Sequence, residues 1–91
     1  MAATVRIPTT MRPLTGGEKQ VEVDPGPLKD VIAQLEAKHA GMSDRLVDED
    51  GELRKFVNVF VDDDDVRYLD GLATEVPDSV TVSIIPAVAG G

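Results

Sequence analysis

The residues best suited to chemistry stand at the end of the printed chain, where Gly90 and Gly91 close an apolar segment that begins after Pro86. Five residues beyond Pro86 reach up to about 17 Å when extended, and glycine has no side chain to obstruct a narrow channel. We therefore expect this tail to enter the active site of another protein. A free α-carboxylate is a poor electrophile, but an enzyme that binds ATP could convert it to an acyl adenylate. Sulfide or an amine could then replace AMP.

No other group in the sequence is a good candidate for catalysis or metal binding. Four consecutive aspartates, residues 62–65, supply oxygen ligands, but adjacent side chains diverge along an extended chain, and a solvated turn is the expected place for Asp. The chain has no cysteine and one histidine, which argues against zinc and triad chemistry. Gly16 and Gly17 with Lys19 lack the spacing of a phosphate-binding loop and indicate a turn. We assign no metal and expect the chain not to be an enzyme.

The length and the net charge of the chain limit its domain organisation and its partners. Ninety-one residues allow one domain. The net charge of −8 argues against nucleic acid or an anionic membrane as partner, and all of it arises from residues 46–91, with three basic and eleven acidic side chains. Neither a membrane span nor a signal peptide is visible. We expect a cytoplasmic protein that is monomeric when alone.

The elements that must position the tail follow from the hydrophobic pattern. Strands are predicted over residues 4–7, 19–23, 56–61 and 80–85, where β-branched residues alternate with polar ones or run together. A long turn with Pro and Gly joins the first two strands into a hairpin. Residues 66–69 form a shorter apolar piece that is interpreted as a short strand or a turn.

One main helix lies between the second and third predicted strands. Its apolar residues recur at the spacing of a single helix face: Leu28, Val31, Ile32 and Leu35. It should end near residues 39–41, and residues 42–47 could add another helical turn. A helix packed on one face of a mixed, four- to five-stranded sheet satisfies this order, with the first and last strands adjacent and parallel. This α+β arrangement is the ubiquitin-like β-grasp, with a domain over residues 1–86 and a flexible Gly-Gly tail over residues 87–91.

The open face of that sheet is a candidate docking surface. If the valines of the 56–61 strand face the helix, then Phe56, Asn58 and Phe60 face outward, and Ile85 of the last strand does so too. Phe60 and Ile85 would then expose apolar area, which favours an interaction surface. We predict that Asn58, Phe60, Ile85 and Pro86 form a partner-docking surface that orients the tail.

Several segments together carry a family resemblance over essentially the whole chain. They are Arg12-Pro13 with Thr15-Gly16-Gly17, Phe56-Val57-Asn58 running into Asp62 to Arg67, Gly71-Leu72-Ala73-Thr74, and Ile85-Pro86-Ala87-Val88-Ala89-Gly90-Gly91. With these segments the sequence resembles the ThiS/MoaD family of sulfur carriers. Within that family it looks most like the CysO branch, which serves cysteine biosynthesis in actinobacteria. The terminal Gly-Gly specifies the class, and the internal segments point to the branch.

The resemblance implies a protein that partner enzymes act upon. An E1-like adenylyltransferase of the ThiF/MoeB type would adenylate Gly91 and convert it to a C-terminal thiocarboxylate, while Ala87, Val88, Ala89 and Gly90 thread into the partner. A PLP-dependent cysteine synthase would then take the sulfur onto an activated serine, and a zinc peptidase of the JAMM type would release the cysteine. ATP, PLP and zinc belong to those partners, and this chain would bind none of them. The tail should need no proteolytic trimming.

Other functions share the same tail. The carrier could supply sulfur to thiosugar, thiamin or molybdopterin synthesis through another sulfur-accepting synthase. It could be a ubiquitin-like modifier, with the Gly91 carboxyl joined to a lysine of a target protein. It could also be a non-covalent subunit whose tail completes a partner's active site.

Overall fold

The computed structural model describes residues 2–55 and 57–86. Within these residues the chain forms seven strands and two helices: β1 (Ala3–Arg6), β2 (Gln20–Val23), β3 (Gly26–Pro27), α1 (Leu28–Lys38), α2 (Met42–Leu46), β4 (Val57–Val61), β5 (Asp64–Asp65), β6 (Glu75–Val76) and β7 (Thr81–Pro86). Short 3-10 segments cover Thr9–Thr15, Val66–Tyr68 and Gly71–Ala73. Phe56 and the predicted tail, residues 87–91, lie outside the described residues.

Five strands form one mixed sheet in the order β2-β1-β7-β4-β5. β1 and β7 are parallel neighbours, with Arg6 level with Ser83, which confirms the predicted adjacency of the first and last strands. The β1–β2 and β4–β7 pairs are antiparallel. β3 and β6 form a separate two-stranded sheet that the sequence pattern did not predict. Strand order and helix together make the predicted ubiquitin-like β-grasp.

Helix α1 covers one face of the sheet with the predicted apolar stripe. Leu28, Val31, Ile32 and Leu35 are all at most 5% exposed. Burying each of them stabilises the fold by about 1.5–3 kcal/mol as an upper estimate. The predicted turn of helix after residue 41 is also present as α2, whose Met42 and Leu46 are buried in the same core.

A short link holds α2 against the end of α1. Gly41 adopts a φ of 97° between the two helices, a conformation that favours glycine. The carboxylate of Glu36 accepts hydrogen bonds from the backbone N–H groups of Gly41 and Ser43, at 3.1 and 2.9 Å from Oε1. The described part of the chain contains no helix long and apolar enough to cross a membrane.

The four aspartates form a hairpin rather than a simple turn. Asp62 has a φ of 55°, and Asp64 and Asp65 form the edge strand β5, paired with Val61 and Phe60. The sequence did not predict this strand because Asp is depleted in strands. Residues 66–69, interpreted as a short strand or a turn, contain a 3-10 turn over Val66–Tyr68, and the Asp65 carboxylate caps it by accepting a hydrogen bond from the N–H of Arg67. Within the described ranges, no three His, Asp or Glu side chains are grouped as a metal site would require.

Candidate functional site at the base of the tail

Strand β7 ends at Pro86, where the predicted tail begins, and the register of β4 fixes what surrounds this point. Pro86 lies level with Val57, Ile85 with Asn58, and Ser83 with Phe60. Val57, Val59 and Val61 are buried on the helix side. Because side chains alternate along a strand, Asn58, Phe60 and Ile85 share the opposite, open face, as the sequence predicted.

The exposure of these residues differs from the prediction at Phe60. Ile85 is 48% exposed, as expected for an apolar docking residue. Phe60 is only half-buried rather than exposed, because the unpredicted strand β5 lies beside it and places Asp65 level with it. Asn58 and Pro86 are also half-buried. The exposed apolar part of the surface is therefore centred on Ile85, while its role in docking stays a prediction.

Asn58 is held in place by Arg67, which reaches back from the 3-10 turn after β5. The Nη1 of Arg67 donates to Oδ1 of Asn58 at 2.8 Å, and its Nη2 donates to the backbone carbonyl of Arg54. The backbone N–H of Arg67 donates to the carboxylate of Asp65 at 2.9 Å. A cation thus lies beside the open face, next to the residue paired with Ile85.

A cleft of about 540 Å³ opens on the other side of the tail base. Its walls are residues 6–10, Arg12, Lys19, Gln20 and residues 83–86. Three cations, Arg6, Arg12 and Lys19, line it, and none of the described residues in its walls is acidic. This cleft is not evident in the sequence, because its cations are separated along the chain and only the fold brings them together.

The Gly16-Gly17 turn shapes this cleft. Gly16 closes the Thr9–Thr15 segment with a φ of 66°, and the N–H of Gly17 donates to the carbonyl of Arg12 at 2.8 Å. The Nε of Arg12 donates to the carbonyl of Ile7 at 3.2 Å. The N–H of Ile7 in turn donates to the carbonyl of Lys19 at 2.8 Å. The predicted turn glycines thus return the chain beside β1 and bring Arg12 and Lys19 to the base of the tail.

Two further exposed apolar residues were missed by the sequence reasoning. Tyr68 is 88% exposed and Leu69 is 47% exposed, although they follow Val66, which is fully buried in the core. The sequence predicted a short strand or a turn over residues 66–69 and did not separate buried from exposed side chains within it. Only the 3-10 geometry, which turns consecutive side chains to different sides, separates the buried valine from its exposed neighbours.

Comparison with known proteins assigns the family. The sequence model of the ThiS family matches residues 5–91. The sulfur carrier protein CysO of Mycobacterium tuberculosis is 50% identical over 93 aligned residues, covering 100% of both chains. In the crystal structure of the BexX/CysO complex of Amycolatopsis orientalis, the matched chain is 50% identical and superposes with a TM-score of 0.93, covering 99% of this chain and 100% of the other.

A third relative has a different description. The small archaeal modifier protein 3 of Haloferax volcanii is 44% identical over 68 residues, covering 75% of this chain and 73% of the relative. Taken with the β-grasp fold and the strand that leads into the Gly-Gly tail, these matches show that the chain belongs to the ThiS family and is like the sulfur carrier protein CysO.

Proposed function

We propose that this chain carries sulfur as a thiocarboxylate on Gly91, and that partner enzymes load and unload it. The observation that carries the proposal is the full-length identity of 50% with a CysO sulfur carrier. The fold supports it, because β7 ends at Pro86, the residue before the tail, beside the open face of the sheet. The protein would be a substrate of those enzymes rather than a catalyst.

The loading chemistry needs two substitutions at the tail. An oxygen of the Gly91 carboxylate attacks the α-phosphorus of ATP, which releases pyrophosphate and leaves an acyl adenylate. Hydrosulfide then attacks the acyl carbon, the bond from that carbon to the AMP oxygen breaks, and AMP leaves with the electron pair. The product is a thiocarboxylate. This chain supplies the carboxylate and its reach, whereas the activating enzyme supplies ATP binding and catalysis.

The domain would bind the enzyme while the tail reacts. Ile85 offers exposed apolar area directly before Pro86, and Asn58 and Phe60 lie beside it on the same face. Contact at this surface would place the first tail residue at the mouth of the enzyme's channel. The complex of CysO with BexX in Amycolatopsis orientalis supports a partner-bound state for a close relative.

The proposed acceptor is a PLP-dependent cysteine synthase. In that route the thiocarboxylate sulfur would bond to the β-carbon of an activated serine, and the activated oxygen of that serine would leave with the electron pair, which gives a thioester. The amino group of the new cysteine would then take the acyl group from sulfur, and a zinc peptidase would hydrolyse the resulting amide bond with water. Synthases for thiosugar, thiamin or molybdopterin would use the same thiocarboxylate. The identity to CysO favours the cysteine route.

The test is the intact mass of the chain after incubation with ATP, sulfide and a matched E1-like enzyme. We expect exchange of one C-terminal oxygen for sulfur in the wild-type chain. Deletion of Gly91 shortens the tail by one residue and should abolish the exchange, although the domain stays folded. Replacement of exposed Arg45 by Ala serves as a matched control and should leave the exchange unchanged. Absence of both adenylate and thiocarboxylate in the wild type would refute the proposal.

A protein modifier is the second candidate, and the similarity to small archaeal modifier protein 3 favours it specifically. Both functions begin with the acyl adenylate. They differ at the acceptor, because a modifier ends in an isopeptide bond to a lysine. Adducts of the chain with other proteins that resist thiol reagents would favour the modifier, and a thiocarboxylate on the free chain would favour the carrier.

A further inference from the structure

The cleft beside the tail carries a charge opposite to that of the chain as a whole. The net charge is −8, yet Arg6, Arg12 and Lys19 line the cleft, and the part of its walls that the structure describes contains no acidic residue. Among residues 2–55 and 57–86, the ion pair found within 4.0 Å is His39 with Glu18. The three cations therefore have no carboxylate partner in the part of the chain that the structure describes.

One of these cations is held ready to bind. Arg12 uses its Nε to donate to the carbonyl of Ile7, and its two Nη groups have no hydrogen-bond partner among the described residues. Arg6 and Lys19 are exposed. Arginine binds carboxylate oxygens through paired N–H groups. A guanidinium already fixed at one nitrogen loses less conformational freedom when it binds in this way.

The aspartates lie away from the cleft and give the surface a charge pattern. Arg6 is level with Ser83, Ser83 is level with Phe60, and Phe60 is level with Asp65. Neighbouring strands lie about 4.8 Å apart, so the three strand spacings from β1 to β5 put about 14 Å between Arg6 and Asp65 across the sheet. This separation exceeds the screening length of about 8 Å at physiological salt. A partner at the cleft is therefore screened from these aspartates. The acidic residues nearest to Lys19 in the chain are Glu18, whose carboxylate lies 3.7 Å from Nε2 of His39, and Glu22.

We propose that the cleft formed by Arg6, Arg12 and Lys19 binds an acidic segment, rich in Asp or Glu, of the enzyme that activates the tail. The proposal rests on the proposed function, because it names the chemistry of that enzyme's docking surface. The cleft is continuous with the apolar surface, since Ile85 and Pro86 belong to its walls. An enzyme that covers Ile85 would reach the cations in the same contact.

The separation of the basic cleft from the aspartates would also set the orientation in which the carrier binds the enzyme. A partner whose acidic segment faces the cleft turns its other side toward the aspartates of residues 62–65. Reversing the carrier would bring the partner's acidic segment against these aspartates, which is disfavoured because like charges repel. The apolar surface around Ile85 does not by itself favour one orientation of the enzyme over the reverse. The cations would therefore select the orientation in which the tail points into the enzyme.

The experiment compares charge reversals with equal net charge. The double variant Arg6→Glu with Lys19→Glu changes the cleft, and the double variant Lys29→Glu with Arg45→Glu makes the same change in net charge at exposed residues of α1 and α2 that are not part of the cleft. Affinity for a matched activating enzyme is measured by calorimetry at low and high salt. Each chain also lacks Gly91, so that binding is measured without turnover. Melting curves establish that both variants fold.

We expect the cleft variant to lose affinity by about ten-fold or more at low salt, and to lose most of the salt dependence of the wild type. The control should stay within about two-fold of the wild type. The milder variant Arg6→Ala with Lys19→Ala should fall between the wild type and the cleft reversal. Equal losses in both reversals, or no loss in either, would overturn the proposal.

Two other occupants give distinct results. Saturable binding of inorganic phosphate to the free chain, lost in the cleft variant while enzyme affinity is unchanged, would make the cleft a small-anion site and overturn the proposal. Tighter enzyme binding after removal of residues 87–91, abolished by the cleft reversal, would make the chain's own carboxylate the occupant and also overturn it. An enzyme that binds normally but never adenylates the full chain would refute only the proposed function.

Discussion

Ile84 and Ile85 are adjacent residues of β7 that allow the same truncation to be made on opposite faces of the sheet. Ile84 is 4% exposed and belongs to the core, whereas Ile85 is 48% exposed on the open face. Each is replaced by Ala in turn. The chemical change and the loss of β-branching are identical, so the difference between the two variants measures the environment alone.

The structure gives the expected magnitudes. Truncating a buried isoleucine to alanine costs about 2–5 kcal/mol of unfolding free energy, which we expect for Ile84→Ala. Full burial of such a side chain is worth about 1.5–3 kcal/mol, and Ile85 keeps about half of its area in water, so Ile85→Ala should cost about 1 kcal/mol. For a domain of this size, 1 kcal/mol shifts Tm by about 4–8 °C. Ile84→Ala should therefore lower Tm by at least about 8 °C, and Ile85→Ala by about 4–8 °C.

Far-UV circular dichroism during urea unfolding is the suitable assay. The chain has no tryptophan and one tyrosine, and Tyr68 is 88% exposed, so intrinsic fluorescence reports little on the core. The functional readout should reverse the order. At a temperature where both variants are folded, Ile85→Ala should slow adenylation and Ile84→Ala should not. Equal destabilisation by the two variants, or slower adenylation only for Ile84→Ala, would refute the assignment of faces and of the docking surface.

Three more predictions test the elements that position the site. Leu35→Ala removes a side chain of the α1 stripe that is 1% exposed and should cost about 2–5 kcal/mol in urea unfolding; a cost below 1 kcal/mol would contradict its place in the core. A Cβ at Gly16 would meet no atom within 4 Å, but the φ of 66° is strained for alanine, so Gly16→Ala should lower the free energy of unfolding by about 1–2 kcal/mol. Gly16→Asn should lower it less, because Asn tolerates this conformation. Equal losses of stability in urea unfolding would argue against backbone strain. Phe60→Ala should slow adenylation while the chain stays folded, because Phe60 is only half-buried, and an unchanged rate would remove Phe60 from the docking surface.

The sequence predicted the parts of the fold that depend on local periodicity. The spacing of Leu28, Val31, Ile32 and Leu35 located the helix, because an α-helix is the regular structure that puts residues at this spacing on one face. Alternation in the last two long strands gave the correct faces, because successive side chains of a strand point to opposite sides. Burial of Val59 and Ile84 and exposure of Ile85 follow directly from that alternation.

The parts that the sequence could not predict depend on distant segments. Asp64 and Asp65 form a strand although Asp disfavours one, because the hairpin places them beside Phe60 and Val61. This strand is the reason that Phe60 is less exposed than expected. Strand propensity is a property of each segment alone, so it does not indicate that β5 packs beside Phe60.

The basic cleft was hidden for a similar reason. Residues 1–45 carry six basic and six acidic side chains, so their net charge gives no sign of a cationic site. Folding gathers Arg6, Arg12 and Lys19 at one end of β1, where they line the same cleft. The Thr15-Gly16-Gly17 segment was the sequence feature that could have indicated the cleft, because a tight turn there returns the chain beside β1.

The central claim is that sulfur passes through the tail to a small molecule, and tracing isotopically labelled sulfide through one turnover tests it most directly. The chain is loaded with labelled sulfide, freed of reagents and incubated with a sulfur-accepting synthase and the releasing peptidase. We predict that the label leaves the chain, appears in a low-mass thiol such as cysteine, and that the chain returns to its original intact mass. Retention of the label on the chain, or its loss as free sulfide while the chain becomes linked to lysine of another protein, would contradict the claim.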